Sequence, residues 1–118
     1  MELTKEYRFE AAHRLPHVPD GHQCGRPHGH SYQVQVHVEG AVDEAVGWVI
    51  DYADISAVVK PIIQELDHRT LNVIPGLENP TSENLARWLW KRIAPGVPLL
   101  SAVTVRETAM SSCVYRGA

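Results

Sequence analysis

At 118 residues the chain can form one globular domain that buries about two thirds of its unfolded surface, and it is too short for a tandem array or a multidomain machine. Apolar residues at 44% and charged residues at 21% are the proportions of a folded protein with a real core, not of a disordered tail. A net charge of -3 leaves no broad basic surface for a phosphate backbone, so nucleic acid is not an expected partner.

The first fourteen residues, MELTKEYRFEAAHR, carry charges where a signal peptide needs an apolar run, and no stretch approaches 18 apolar residues, so a cytosolic protein without a membrane span is expected. Cys24 and Cys113 could form at most one bridge, which a reducing compartment disfavours.

Tyr7, Phe9, Ala11 and His13 share a parity and predict a first strand that ends at His13. From Arg14 to Gly29 the prolines and glycines of RLPHVPDGHQCGRPHG predict a long loop. Five of the seven histidines fall between His13 and His30, and loops of this length in small domains are usually functional. A second strand follows, with Tyr32, Val34, Val36 and Val38 on one face and Gln33, Gln35 and His37 on the other. Trp48–Ile50 suggests a third strand. A helix with Ile55, Val58, Val59, Ile62 and Leu66 on its apolar stripe is expected, with Asp54 as N-cap and a kink at Pro61. A second helix starts at Thr81 and turns Leu85, Trp88, Leu89 and Ile93 to the core, stopped by Pro95 and Gly96. Leu99–Thr108 predicts a fourth strand. The expected architecture is a single α+β domain over residues 1–118: a four-stranded antiparallel sheet with two helices between strands three and four.

His28 and His30 lie two residues apart on an extended segment, so both imidazoles leave one face with Cα atoms about 7 Å apart. Two such rings can converge on one ion, neutral imidazole suits zinc, and His13 is the natural third ligand for a site with one open position. Cys24 precedes His28 by four residues. It is either a fourth ligand that closes a structural site, or a free thiol whose pKa a nearby cation lowers until it can serve as a general base. Spacing alone does not choose between them.

Asp67 beside His68 could orient an imidazole, although adjacent residues often point apart. Glu107 shares the parity of Val103 and Val105, so a carboxylate faces the apolar side and needs compensation. The ring N–H and exocyclic amine of a guanine-like or pterin heterocycle would supply it. Cys113 reads as a packing residue, and His17, His22 and His37 carry no assigned role. Arg14 and Arg26 border the histidine loop.

FEAAHRLP, CGRPHGHSY, LDHRTLN, ENPTSENLA and VRET, in this order, resemble the 6-pyruvoyltetrahydropterin synthase family almost end to end. The four-residue step from Cys24 to His28 is similar to the bacterial branch that forms 6-carboxytetrahydropterin and serves queuosine biosynthesis. The resemblance implies the tunnelling fold, zinc on His13, His28 and His30, Cys24 as proton acceptor, Asp67 and His68 as a second proton relay, and Glu107 as the pterin anchor. It also implies conversion of 7,8-dihydroneopterin triphosphate to 6-carboxytetrahydropterin with release of acetaldehyde and triphosphate. Such subunits form trimers, often paired into hexamers, whose sheets join into a barrel with sites at the subunit contacts. Pyruvoyl-forming or sepiapterin-cleaving activity is the alternative on the same scaffold, and a non-catalytic zinc module with Cys24 as fourth ligand is the alternative of another class.

Overall fold

The computed structural model describes residues 1–118. Strand β1 (Glu2–His13) and strand β2 (His28–Glu39) pair antiparallel along their whole length, with Phe9 opposite Tyr32 and His13 opposite His28. Their alternation does the work expected of it. Tyr7, Phe9, Ala11, Tyr32, Val34, Val36 and Val38 are buried on one face, and the intervening polar residues stand on the other.

Helix α1 (Tyr52–Leu66) and helix α2 (Ser82–Ile93) cover that apolar face. α1 buries Ile55, Val59, Ile62, Ile63 and Leu66. Its N-cap is Asp51, not Asp54: the Asp51 carboxylate accepts the Ala53 N–H at 2.9 Å, and Asp54 sits in the first turn where the helix dipole favours it. Pro61 lies inside α1, which continues through it. Pro61 and Ala57, whose carbonyl loses its helical partner to the proline, are both exposed, so water can satisfy the orphaned group. α2 begins after Thr81, whose hydroxyl accepts the Asn84 N–H at 3.2 Å, and buries Leu85, Ala86, Leu89 and Ile93. Trp88 is only partly buried; its indole N–H donates to the Pro75 carbonyl at 3.2 Å.

The sheet has five strands in the order β3-β1-β2-β4-β5 and is mixed, in place of the four antiparallel strands expected. The predicted third strand at Trp48–Ile50 is absent. That segment closes a tight turn in which the Asp43 carbonyl accepts the Gly47 N–H at 2.7 Å and the Asp43 N–H donates to Trp48 O at 2.8 Å. Gly47 adopts a φ of 83° there. Strand β3 (Arg69–Thr70) instead lies between the two helices in sequence and pairs parallel with β1. Strand β4 (Leu100–Thr108) follows the prediction, and the C-terminal segment adds strand β5 (Ser111–Tyr115) beside it. Cys113 and Tyr115 point inward from β5, so Cys113 is a packing residue as read. No helix is long and apolar enough to cross a membrane.

One irregularity aims a side chain of the site. Between Val105 and Thr108 the β4–β5 register shifts, so that Val105 faces Cys113 while Thr108 faces Ser111. Such a bulge bends the strand and redirects residues within it, and Glu107 is one of them. On the opposite face His37 is largely covered. Its Nδ1 lies 3.2 Å from the Thr4 hydroxyl and its Nε2 2.9 Å from that of Thr104.

Candidate metal centre

Because β1 and β2 pair in register at their far ends, His13 and His28 stand opposite one another, and His30 follows two positions along on the same face. The three rings pack edge to face, with centroids 4.6, 4.9 and 4.8 Å apart. One nitrogen from each lies within 4.8 Å of the others, and this convergent set is three imidazoles without Cys24. Three imidazoles so arranged can hold one metal ion.

The backbone fixes which nitrogens face inward. His13 is 2% exposed; its Nδ1 lies 2.9 Å from the Pro80 carbonyl, and the Tyr32 hydroxyl is 3.0 Å from the same atom. His28 Nδ1 lies 2.6 Å from the Arg26 carbonyl. Carbonyl oxygens only accept, so both Nδ1 atoms carry the proton and both Nε2 atoms present lone pairs. Those two Nε2 atoms are 3.0 Å apart. Two facing lone pairs repel unless a proton or a cation lies between them. A tetrahedral ion with bonds of about 2.0–2.1 Å separates its nitrogens by roughly 3.3 Å, close to this spacing. The donor set therefore fits a zinc-like ion. Burial pushes the pKa of His13 and of His30 below the usual imidazole range, and the neighbouring rings add to the effect. Both rings are thereby held in the neutral form that binds metal.

Cys24 lies in a 3-10 turn, Gln23–Gly25, within the long loop. Its carbonyl accepts the Leu15 N–H at 2.8 Å and its own N–H donates to His22 Nδ1 at 3.0 Å, so the loop is pinned at both sides of the thiol. Glu107 is 22% exposed, and one of its carboxylate oxygens is 4.0 Å from His30 Nε2. Burial pushes its pKa up, the nearby His28 counteracts this, and Glu83 reinforces it.

Asp67 and His68 do point together. His68 adopts a φ of 57°, a conformation that folds its ring back until Nδ1 lies 3.0 Å from Asp67 Oδ1. Asp67 Oδ1 also accepts the Glu10 N–H at 3.0 Å. That backbone bond, followed by the bond and charge of His68, holds the Asp67 carboxyl below the usual range. The pair adjoins an open cleft of about 440 Å³ formed by Glu10, Ala12, Gly29, Ser31, His68 and Arg69. Ala11 and His30 line the same cleft, and the backbone of Glu10 bonds to both Asp67 and His68, so the pair stands at the edge of β1. Tyr32, Pro80 and Arg26, which hold the imidazoles from behind, escaped the sequence reading. Tyr32 shares the histidines' parity, a usable signal, whereas a carbonyl 67 residues from His13 leaves none.

Residues 2–118 match the 6-pyruvoyl tetrahydropterin synthase family. The chain belongs to that family. It is 41% identical to 6-carboxy-5,6,7,8-tetrahydropterin synthase of Synechocystis, over 96% of this chain and 91% of that protein. It is 42% identical to dihydroneopterin monophosphate aldolase of Pyrococcus furiosus, over 76% of this chain and 72% of that protein. The fold superimposes on the 6-pyruvoyl tetrahydropterin synthase of Caenorhabditis elegans with a TM-score of 0.92 at 27% identity, covering 100% of this chain and 96% of that one. The chain is thus an enzyme of this pterin family.

Proposed function

We propose that the chain is a zinc-dependent lyase that converts 7,8-dihydroneopterin triphosphate and water to 6-carboxy-5,6,7,8-tetrahydropterin, acetaldehyde and triphosphate, in the route to queuosine and related deazapurines. The observation that carries this reading is the separation of roles around the three imidazoles: three inward nitrogens, a thiol outside the ligand set, and a half-buried carboxylate beside His30.

When bound, zinc on His13, His28 and His30 supplies Lewis-acid polarisation of the substrate's side-chain oxygens. Glu107 anchors the heterocycle by accepting from its ring N–H and exocyclic amine, which orients the side chain toward the imidazoles. Cys24 takes the first proton from that side chain. His68, oriented by Asp67, moves the second.

With sites at subunit contacts, as the family resemblance implies, Asp67 and His68 of one copy serve the metal site of a second. A homo-oligomer, trimer-based and extendable to a hexamer, provides this. β3 is two residues long and β5 has no outer neighbour, so both sheet edges are free to pair with other copies, as barrel closure requires.

The similarity to a dihydroneopterin monophosphate aldolase favours, as the second reading, carbon–carbon cleavage of a monophosphorylated substrate by the same residues. Incubating the zinc-loaded protein separately with the triphosphate and monophosphate substrates and identifying the products decides between them. The expected result is 6-carboxytetrahydropterin with equimolar acetaldehyde from the triphosphate. A pyruvoyl product, or turnover of the monophosphate alone, overturns the assignment.

A further inference from the structure

Asn72 closes the stretch LDHRTLN and has no part in the chemistry above, yet three segments of the site meet on its side chain. β3 pairs in parallel with β1 so that Thr70 stands beside Ala12, and two residues further on Asn72 comes beside Arg14. There the chain has left the strand for a 3-10 turn, Leu71–Val73, seated by the fully buried Leu71. The Asn72 carboxamide continues the ladder in place of the backbone. Its oxygen accepts the Arg14 N–H at 2.9 Å, and its nitrogen donates to the Arg14 carbonyl at 2.7 Å and to the Glu78 carbonyl at 3.3 Å. A primary amide offers one acceptor oxygen and two N–H donors, so the oxygen and both donors are engaged.

Each partner leads to the metal centre. Arg14 follows His13, and Leu15 after it donates its N–H to the Cys24 carbonyl at 2.8 Å. Glu78 stands two residues before Pro80, whose carbonyl lies 2.9 Å from His13 Nδ1. All other hydrogen bonds of residues 14–27 stay inside the loop or join it to His28, the residue it leads into. Asn72 is therefore the one lateral hydrogen-bonded anchor of the loop. The pairing of β1 with β2 fixes His13, His28 and His30 whatever the loop does. It does not fix the thiol.

We propose that Asn72 is a positioning residue that sets the Cys24 thiol against the metal centre, by clamping Arg14 and, through Leu15, the Cys24 turn; the inference rests on the reading of Cys24 as the proton acceptor. A base takes a proton only across a short, aligned contact, and a displacement of about 1 Å can cost a hundredfold in rate. Imidazoles carried on paired strands keep their ion without this clamp. Asn72 thus governs the placement of the base separately from that of the metal.

N72A and N72D test this against the wild type. N72D keeps the shape and the bond to the Arg14 N–H but sets a carboxylate oxygen against the Arg14 and Glu78 carbonyls, so a role in packing alone would leave it like the wild type. Hydrogen exchange followed by mass spectrometry should show residues 14–27 losing protection in both variants, with β1 and β2 unchanged as the internal control of folding. Zinc should stay at about one per chain, and the cobalt-substituted variants should keep the wild-type absorption spectrum. In the lyase assay kcat should fall about a hundredfold while KM changes little, because Glu107 and not the loop anchors the heterocycle. Wild-type exchange and kcat in N72D would reduce Asn72 to packing, and loss of zinc from both variants would make it a support of the ligands; either result overturns the inference. Absence of lyase product from the wild type removes the reaction alone, since the exchange measurement scores the clamp without substrate.

Discussion

His13 Nε2 and His28 Nε2 face each other at 3.0 Å while the far nitrogen of each ring rests on a backbone carbonyl. Neither ring can relieve the contact by changing tautomer without losing its bond to Pro80 or Arg26. The fold thus builds a pair of lone pairs at a spacing that only a shared proton or a cation makes comfortable, and His30 supplies the third nitrogen.

His28→Ala should therefore bring metal content well below one per chain, as measured by atomic absorption after dialysis. In the wild type, added zinc should raise the unfolding midpoint, since a ligand at a hundred times its Kd stabilises the folded state by about 2.7 kcal/mol. A variant that keeps a full complement of zinc would remove His28 from the ligand set.

Tyr32→Phe tests the support behind the ligands. The Tyr32 hydroxyl shares His13 Nδ1 with the Pro80 carbonyl, and loss of such a partner typically lowers metal affinity about 10–100-fold. Competition with a chromogenic chelator should register a drop toward the lower end of that range, because Pro80 remains. Equal affinities would make the hydroxyl a packing group only.

Cys24→Ala should keep about one zinc per chain, as three imidazole ligands suffice, and abolish turnover. Zinc lost together with activity would mean that the thiolate is a ligand and the site a closed structural one.

The imidazole cluster was legible because β1 and β2 alternate strictly. Parity put Tyr7, Phe9, Ala11 and His13 on one face, and the same rule put His28 and His30 with Tyr32. Strand β3 had no such signal: two residues carry no period, and Arg69–Thr70 joins the sheet only because α1 delivers it beside β1. The apolar run at Trp48 read as a strand, yet its backbone bonds are consumed inside the Asp43–Gly47 turn. The orientation of His68 depends on a left-handed backbone that no neighbouring residue type demands. That Asp67 and His68 come to lie beside Glu10 of β1 follows from a parallel pairing invisible in the local sequence.

Asp67→Asn should flatten the acid limb of stability. The wild-type carboxyl titrates below its unfolded value of about 3.9, because the folded chain gives it the Glu10 N–H and His68. A depressed folded pKa means stabilisation that is complete above the unfolded value and lost as pH falls through the folded one. The asparagine oxygen can keep the Glu10 bond but does not titrate. Urea unfolding midpoints followed from pH 6 to pH 3 should accordingly fall more steeply for the wild type than for the variant, and parallel curves would count against the linkage.

Glu107→Gln separates anchoring from chemistry. The carboxylate stands at the register shift of β4, 4.0 Å from His30, and offers two acceptor oxygens. Glutamine keeps the shape, loses the charge, and turns one acceptor into a donor that faces the donors of the heterocycle. Hydrogen bonds to a charged group contribute about 1.5–3 kcal/mol, so the dissociation constant for the pterin should rise at least about tenfold. Since the anchor holds substrate and transition state alike, KM should carry most of the change and kcat little of it. A large fall in kcat at unchanged affinity would instead place Glu107 among the groups that move protons.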